Sequence, residues 1–182
     1  MTRAVFLDRD GVLNRTRVEG GRPLPPKTLA DFEIIPGVPE AVERLKQAGF
    51  RAIVATNQPD VATGKQTRSA VEAMHRRLLE AVPLDGIMVC YHVDEDRCGC
   101  RKPKPGMLLQ AARERGLELP ASFMVGDRWR DIEAGLNAGC KTVLIGDGYG
   151  EAFPRAADAR FPSLPDALPF LLSRALNAGF TP

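Results

Sequence analysis

The sequence predicts an α/β fold, a mostly parallel sheet covered by helices on both faces. Three observations carry that prediction. Short, nearly continuous apolar runs alternate along the chain with segments whose apolar residues recur at helical spacing. Gly and Pro punctuate the changeovers. The polar residues able to do chemistry, Asp8 and Asp10, Thr56 and Asn57, Asp127 and Asp131, follow directly on apolar runs. In such folds ligands bind beyond the carboxyl ends of the strands.

Taken in order, residues 4–7 (AVFL) form the first strand, with Asp8 immediately after it. A Gly- and Pro-rich loop, EGGRPLPPK, occupies residues 19–27. Val38, Ala41, Val42 and Leu45 then mark one face of a helix that Gly49 ends. Residues 50–56 are the next strand, closing on the polar Thr56, Asn57 and Gln58. Thr67 can cap a second helix whose buried face carries Val71, Met74, Leu78 and Leu79. A third strand at residues 86–92 runs into a loop of Cys and His. Pro105 suits the first turn of a further helix through Leu108, Leu109 and Ala112, with Gly116 as its stop. Residues 122–125 form another strand ending at Gly126 and Asp127. A short helix over 131–138 leads to a strand at 141–146, and a Pro-interrupted helix over 165–176 packs on the sheet.

The 182 residues are expected to form a single domain, 1–182, able to bury a core without disulfides. Apolar content of 44% and charged content of 26% are those of a globular protein. A formal charge of only +2 gives no general reason to expect nucleic acid or anionic lipid as a partner. The first apolar run is too short for a signal-peptide core, and no run approaches the ~18 residues of a membrane span. The expectation is therefore a cytoplasmic protein, a monomer with no membrane partner. In that compartment clustered cysteines are more often metal-binding or catalytic than disulfide-bonded.

In FLDRDGVLN, Asp8 and Asp10 flank Arg9 at a strand end, and Gly11 allows a sharp turn. Two carboxylates so close resist joint ionisation unless a cation lies between them or one holds a proton. A hard divalent ion such as Mg2+ typically takes one or two carboxylates plus phosphate oxygens of the substrate. VGDRWRD adds Asp127 after another strand and Asp131 near a helix N-terminus, where the dipole favours negative charge. Together they outline a cation site built from two strand ends. The bland alternatives are a solvated turn for the first pair and a helix cap for the second. ATNQ ends the middle strand with a hydroxyl and amides suited to phosphate oxygens. A P-loop and a G-x-G-x-x-G fingerprint are both missing from the sequence, which disfavours an NTPase of that kind and a dinucleotide fold.

In combination, FLDRDGVLN, ATNQ, RKPKPGM and VGDRWRDIEAG resemble, in this order, the haloacid dehalogenase-like hydrolase superfamily. Within it the chain is similar to the group of histidinol phosphatases and D-glycero-D-manno-heptose 1,7-bisphosphate phosphatases. The resemblance covers residues 5 to about 145. It implies a Rossmann-like three-layer sandwich and a Mg2+-dependent phosphoric monoester hydrolase. Asp8 would be the nucleophile that becomes an aspartyl phosphate, and Asp10 the acid that protonates the leaving oxygen and later activates water. Mg2+ would be held by the Asp8 side chain, the Asp10 backbone carbonyl and Asp127, with Asp131 behind them. Thr56 and Lys102 would bind the transferring phosphoryl group. For its first step Asp10 needs a proton, and hence a raised pKa. The spans 14–34 and 57–90 leave little room for a cap domain, so the site is expected to be open, with residues 15–27 and the Arg101 region setting specificity.

Cys90, His92, Cys98 and Cys100 make two pairs with one-residue spacers. In extended chain, residues i and i+2 point to one side, so each pair can present two ligands together. Three thiolates and one imidazole suit a closed tetrahedral Zn2+ site. A disulfide and a zinc knuckle on nucleic acid are the other readings of the same residues. The related phosphatases carry such a zinc loop. Their heptose branch continues as CRKPxPGM, which CRKPKPGM matches, and there the arginine before the lysine, here Arg101, meets the distal phosphate. Arg128 stands where relatives often have Lys and would be a second anion contact, with Asn57 a further substrate ligand. The resemblance thus implies removal of the 7-phosphate of the heptose bisphosphate. Histidinol phosphate as substrate, or a zinc-stapled binding protein without turnover, are the alternatives. After TNQ the chain departs from those relatives, with Pro59 and Asp60 adding a negative charge and Thr63 in place of a cation.

Overall fold

The computed structural model describes residues 2–176; Met1 and residues 177–182 of the expected domain lie outside the described residues. Strand β1 (Arg3–Leu7) is followed by a hairpin of β2 (Arg17–Glu19) and β3 (Arg22–Leu24). Next come α1 (Val38–Gln47), β4 (Phe50–Asn57), α2 (Arg68–Ala81) and β5 (Gly86–Cys90). The second half runs α3 (Gly106–Arg115), β6 (Phe123–Gly126), α4 (Trp129–Ala138), β7 (Lys141–Ile145), β8 (Ala159–Phe161) and α5 (Leu164–Leu176). Six strands form one sheet in the order β5-β4-β1-β6-β7-β8, each pairing parallel.

Both faces of this sheet are covered, which is why the strand sequences read as unbroken apolar runs. Val5, Leu7, Ala52, Val54 and Val125 pack with residues of α1, α2 and α5 on one face. Ala4, Phe6, Ile53, Ala55 and Met124 pack with Met107, Leu108 and Ala111 of α3 and Ala138 of α4 on the other. Each fully buried Val, Leu, Ile, Phe or Met side chain contributes roughly 1.5–3 kcal/mol, so the two clusters supply most of what holds the three layers together. The chain leaves β1 toward β4 on one side and later returns to β6 on the other. Such a reversal opens a crevice at the carboxyl ends of the central strands.

The local signals act as their chemistry requires. The Thr67 hydroxyl accepts from the Ala70 N–H and caps α2, while Gly116, left-handed at φ 61°, stops α3. Other elements differ from the sequence reading. Gly20 and Gly21, at φ 56° and 75°, close a tight hairpin inside the segment read as loop. Strand pairing at β5 ends at Cys90 rather than His92, and α4 begins at Trp129 rather than Asp131. The short β8 was not anticipated. On α2 the buried residues are Val71, Met74, His75 and Leu78, and Leu79 is exposed. At 100° per residue, Leu79 lies roughly 80° from Val71, past the edge of that stripe. His75 takes the fourth place on the stripe and is buried.

Candidate active site

Lys102 stands at the centre of the crevice. Its side chain is 3% exposed, and its ammonium donates to Asp8 Oδ1 at 2.8 Å, to the Ala55 carbonyl at 2.7 Å, and pairs with Asp131 Oδ1 at 2.5 Å. Burial alone would drive off its proton, but the charges of Asp131 and Asp8 outweigh that and raise its pKa. Asp8, just past β1, is held by its own N–H on the Val125 carbonyl. Burial, reinforced by Asp131 and Asp10 and opposed by Lys102, raises its carboxyl to about 6.

Asp127, at the end of β6, is 3% exposed. Its Oδ2 accepts from the Tyr149 hydroxyl at 2.7 Å, and its Oδ1 is buried with no donor. Burial, then Asp8 and Asp131, pushes its pKa well above the carboxylate range. Asp131 in the first turn of α4 accepts from the Arg128 N–H at 3.0 Å with its other oxygen. Asp8, Asp127 and Asp131 each present a carboxylate oxygen within 4.8 Å of the others. Three buried carboxylates against one ammonium, with an orphaned oxygen among them, fit a hard divalent cation. Gly11 makes the approach possible. At φ 84°, a Cβ on it would lie 1.8 Å from Asp127 Oδ2.

Asp10 lies outside that carboxylate group. Arg9, fully buried, donates to both its oxygens at 2.9–3.2 Å, joined by Asn14 at 3.0 Å and Gln58 at 2.9 Å. Burial would raise its pKa, yet the Arg9 charge and these hydrogen bonds prevail and lower it. The raised pKa expected for Asp10 is therefore absent in this arrangement, because Arg9 folds onto it.

The crevice has a volume of about 560 Å³, and Asp8, Asp10, Lys102, Asp127 and Asp131 line its floor. Lys27, Lys65, Arg101, Arg128 and Arg130 also line it, giving a largely basic wall that Asp60 interrupts. Of the expected contacts, Asn57 faces the crevice, but its amide is held by the Lys102 peptide, accepting from N–H at 3.1 Å and donating to C=O at 3.0 Å. Thr56 is buried, and its hydroxyl accepts from Gln58. Arg128 pairs with Glu151, and Arg101 with Asp94 at 2.8 Å, while Arg101 Nη1 remains buried without an acceptor. Asp94 also accepts from Arg130. The sequence reading missed Asp94, Arg130, Tyr149 and Glu151, and it read Gln58 as a donor to phosphate rather than to Asp10.

Beside Arg101 lie Cys90, His92, Cys98 and Cys100. All three sulfurs are free thiols and lie 3.2–3.8 Å apart. His92 Nδ1 is 3.5 Å from the Cys90 sulfur and 3.3 Å from that of Cys100. A tetrahedron with Zn–S bonds of ~2.3 Å has S–S edges of roughly 3.8 Å, so a closed zinc site fits. The disulfide alternative does not hold in this structure.

Comparisons with known proteins agree with this geometry. The HAD-hydrolase-like family pattern matches residues 99–168. The D-glycero-beta-D-manno-heptose-1,7-bisphosphate 7-phosphatase of Pseudomonas aeruginosa is 42% identical over 151 residues, 80% of this chain and 82% of that protein. The Yersinia pestis enzyme of the same name is 40% identical, with 97% and 96% covered. The crystal structure of D,D-heptose 1,7-bisphosphate phosphatase from B. bronchiseptica, complexed with magnesium and phosphate, superposes with a TM-score of 0.80 at 31% identity. The match spans 94% of this chain and 99% of that one. The chain thus belongs to the haloacid dehalogenase-like hydrolases, as a phosphatase of the group that includes these heptose-bisphosphate enzymes.

Proposed function

We propose that this protein is a Mg2+-dependent phosphatase that removes the 7-phosphate of D-glycero-D-manno-heptose 1,7-bisphosphate. The observation that carries the reading is the buried Lys102 ammonium between Asp8 and Asp131, beside the unpartnered oxygen of Asp127. Names of relatives at 40–42% identity supply the sugar. The basic wall suits a substrate that carries a second phosphate. Asp8, Asp127 and the Asp10 backbone carbonyl would hold Mg2+, with Asp131 behind them. When bound, the ion offsets the negative charge of the phosphoryl oxygens and the carboxylates.

In this reading an Asp8 oxygen attacks phosphorus and the sugar oxygen leaves with a proton from Asp10. Water, deprotonated by Asp10, then cleaves the aspartyl phosphate and releases inorganic phosphate. Lys102 aims Asp8 and neutralises the transferring group, the main lever of phosphoryl transfer. Asp10 is held anionic by Arg9, which suits the second step. The dianionic ester raises its pKa by like-charge repulsion, so the proton for the first step accompanies substrate. Arg101 and Arg128 would meet the distal phosphate, and Thr56 and Asn57 support the phosphoryl pocket. The four-ligand loop would hold a structural Zn2+. We read the chain as one catalytic domain acting as a monomer in the cytoplasm; among the described residues no helix is long and apolar enough to cross a membrane.

The test is phosphate release from the α and β anomers of the heptose bisphosphate beside histidinol phosphate, with Asp8→Asn as control. The expected result is a kcat/KM preference for one heptose anomer and a loss of at least ~10³-fold in kcat for the variant. A preference for histidinol phosphate would overturn the substrate, and undiminished turnover by Asp8→Asn the nucleophile.

A further inference from the structure

The segment after β7, residues 146–151, carries groups that the reaction outlined above does not use. Four of its positions have positive φ: Gly146, Gly148, Tyr149 and Gly150 stand at 72°, 72°, 55° and 69°. Three of these are glycines, for which the left-handed region is open. Tyr149 is not, and its Cβ crowds the following carbonyl in that region. Asp147 Oδ1 accepts the Tyr149 N–H at 3.0 Å and holds the turn. A strained non-glycine residue at a site boundary calls for a reason.

The reason lies at the other end of the side chain. The phenol oxygen donates to Asp127 Oδ2 at 2.7 Å, and the Thr16 hydroxyl lies 3.4 Å away. Gly11 packs against the same pair, since a Cβ there would stand 1.8 Å from Asp127 Oδ2 and 3.0 Å from the Tyr149 oxygen. The Asp127 carboxylate is therefore gripped by one oxygen only. Its Oδ1 is buried with no donor, and one oxygen of this carboxylate lies within 4.8 Å of oxygens of Asp8 and Asp131. A carboxylate free to rotate would have to be ordered each time a cation bound. A hydrogen bond to the non-ligating oxygen removes that cost and fixes the ligand's orientation.

We propose that Tyr149 is a positioning residue for the divalent-cation site, fixing the Asp127 carboxylate so that Oδ1 is presented to the ion. This rests on the metal assignment made under the proposed function. Tyr149→Phe removes the hydroxyl and keeps the ring. Titration calorimetry with Mg2+ alone, on the full chain without substrate, should show its Kd about 10-fold or more weaker than wild type, the range found when a ligand's outer partner is lost. Thr16→Val, which leaves the Tyr149–Asp127 bond in place, should change it less. Thermal unfolding in EDTA supplies the second readout. A Tyr149→Phe protein that unfolds earlier yet binds Mg2+ as tightly as wild type would show a merely structural tyrosine and overturn the inference. A wild-type chain that takes up no Mg2+ would overturn the metal assignment and this inference with it.

Discussion

Asn57 shows how one side chain can act on another through its backbone. Its amide grips both the N–H and the C=O of Lys102, forty-five positions away, and so fixes the backbone from which the ammonium reaches Asp8 and Asp131. Misplacing a reacting group by about 1 Å can cost on the order of 10²-fold in rate. Asn57→Ala should therefore lower kcat by roughly 10-fold or more with a smaller change in KM, read from steady-state kinetics. An unchanged kcat would mean that the ion pairs alone place Lys102. At this scale the sequence pointed to Asp8, Asp10 and Asp127 through short motifs at strand ends, with Asp131 four residues on, and to Lys102 only through the resemblance carried by RKPKPGM. It concealed Tyr149, Glu151 and the pairing of Gln58 with Asp10, contacts that span 22, 23 and 48 positions. No local pattern announces such a contact. Adjacency did not reveal the reversal at Asp10 either, since a D-x-D motif does not say that the intervening arginine will fold back onto the second carboxylate.

At the scale of elements, the loop between β5 and α3 is the clearest case of sequence chemistry standing in for secondary structure. Its four ligand atoms converge, and Lys104 donates to the Cys98 carbonyl at 2.6 Å, yet the segment has only one short 3-10 turn, Asp94–Asp96. An irregular loop left to itself is entropically free. Within it Asp94 holds Arg101 and Arg130 on the crevice wall, and Lys102 follows two residues after Cys100. Removing zinc with a chelator, or Cys98→Ala, should lower the melting temperature and raise KM for the bisphosphate several-fold. The Mg2+ affinity should stay close to wild type, because Asp8 and Asp127 belong to other strands. Zinc stoichiometry, melting curves, kinetics and calorimetry check each part, and a chelated protein with unaltered stability and KM would sink the structural role. Strands buried on both faces were legible as apolar runs. The hairpin of β2 and β3 was not, because its residues are exposed or half-buried and carry no periodic signal beyond Gly20-Gly21. β8, three residues at the sheet edge, is too short to show one.

Across the whole molecule, the parallel sheet gathers its functional groups at one end, and their charges extend into the layer beneath. Arg9 is fully buried against Asp10, and α2 places His75 in the covering layer close enough to feel both. No polar partner meets His75 Nε2 among the described residues. Burial, reinforced by the Arg9 charge and opposed by Asp10 and Glu72, lowers its pKa to about 4, against 6.5 for a free imidazole. The sign follows directly. Between those values the unfolded chain binds a proton that the folded one refuses, so stability is complete above pH 6.5 and is lost as pH falls toward 4. Linkage with these two values gives a loss of about 2 kcal/mol between pH 7 and pH 5 from this residue alone. Thiolates of a zinc site also take up protons in acid, so the wild-type curve is not diagnostic by itself. Chemical denaturation of His75→Gln at both pH values isolates the contribution, because the variant keeps a polar side chain that does not titrate. Its stability should fall by about 2 kcal/mol less than that of wild type over the same interval. Equal losses would place His75 in contact with water and would mean that α2 does not seal the layer behind Asp10.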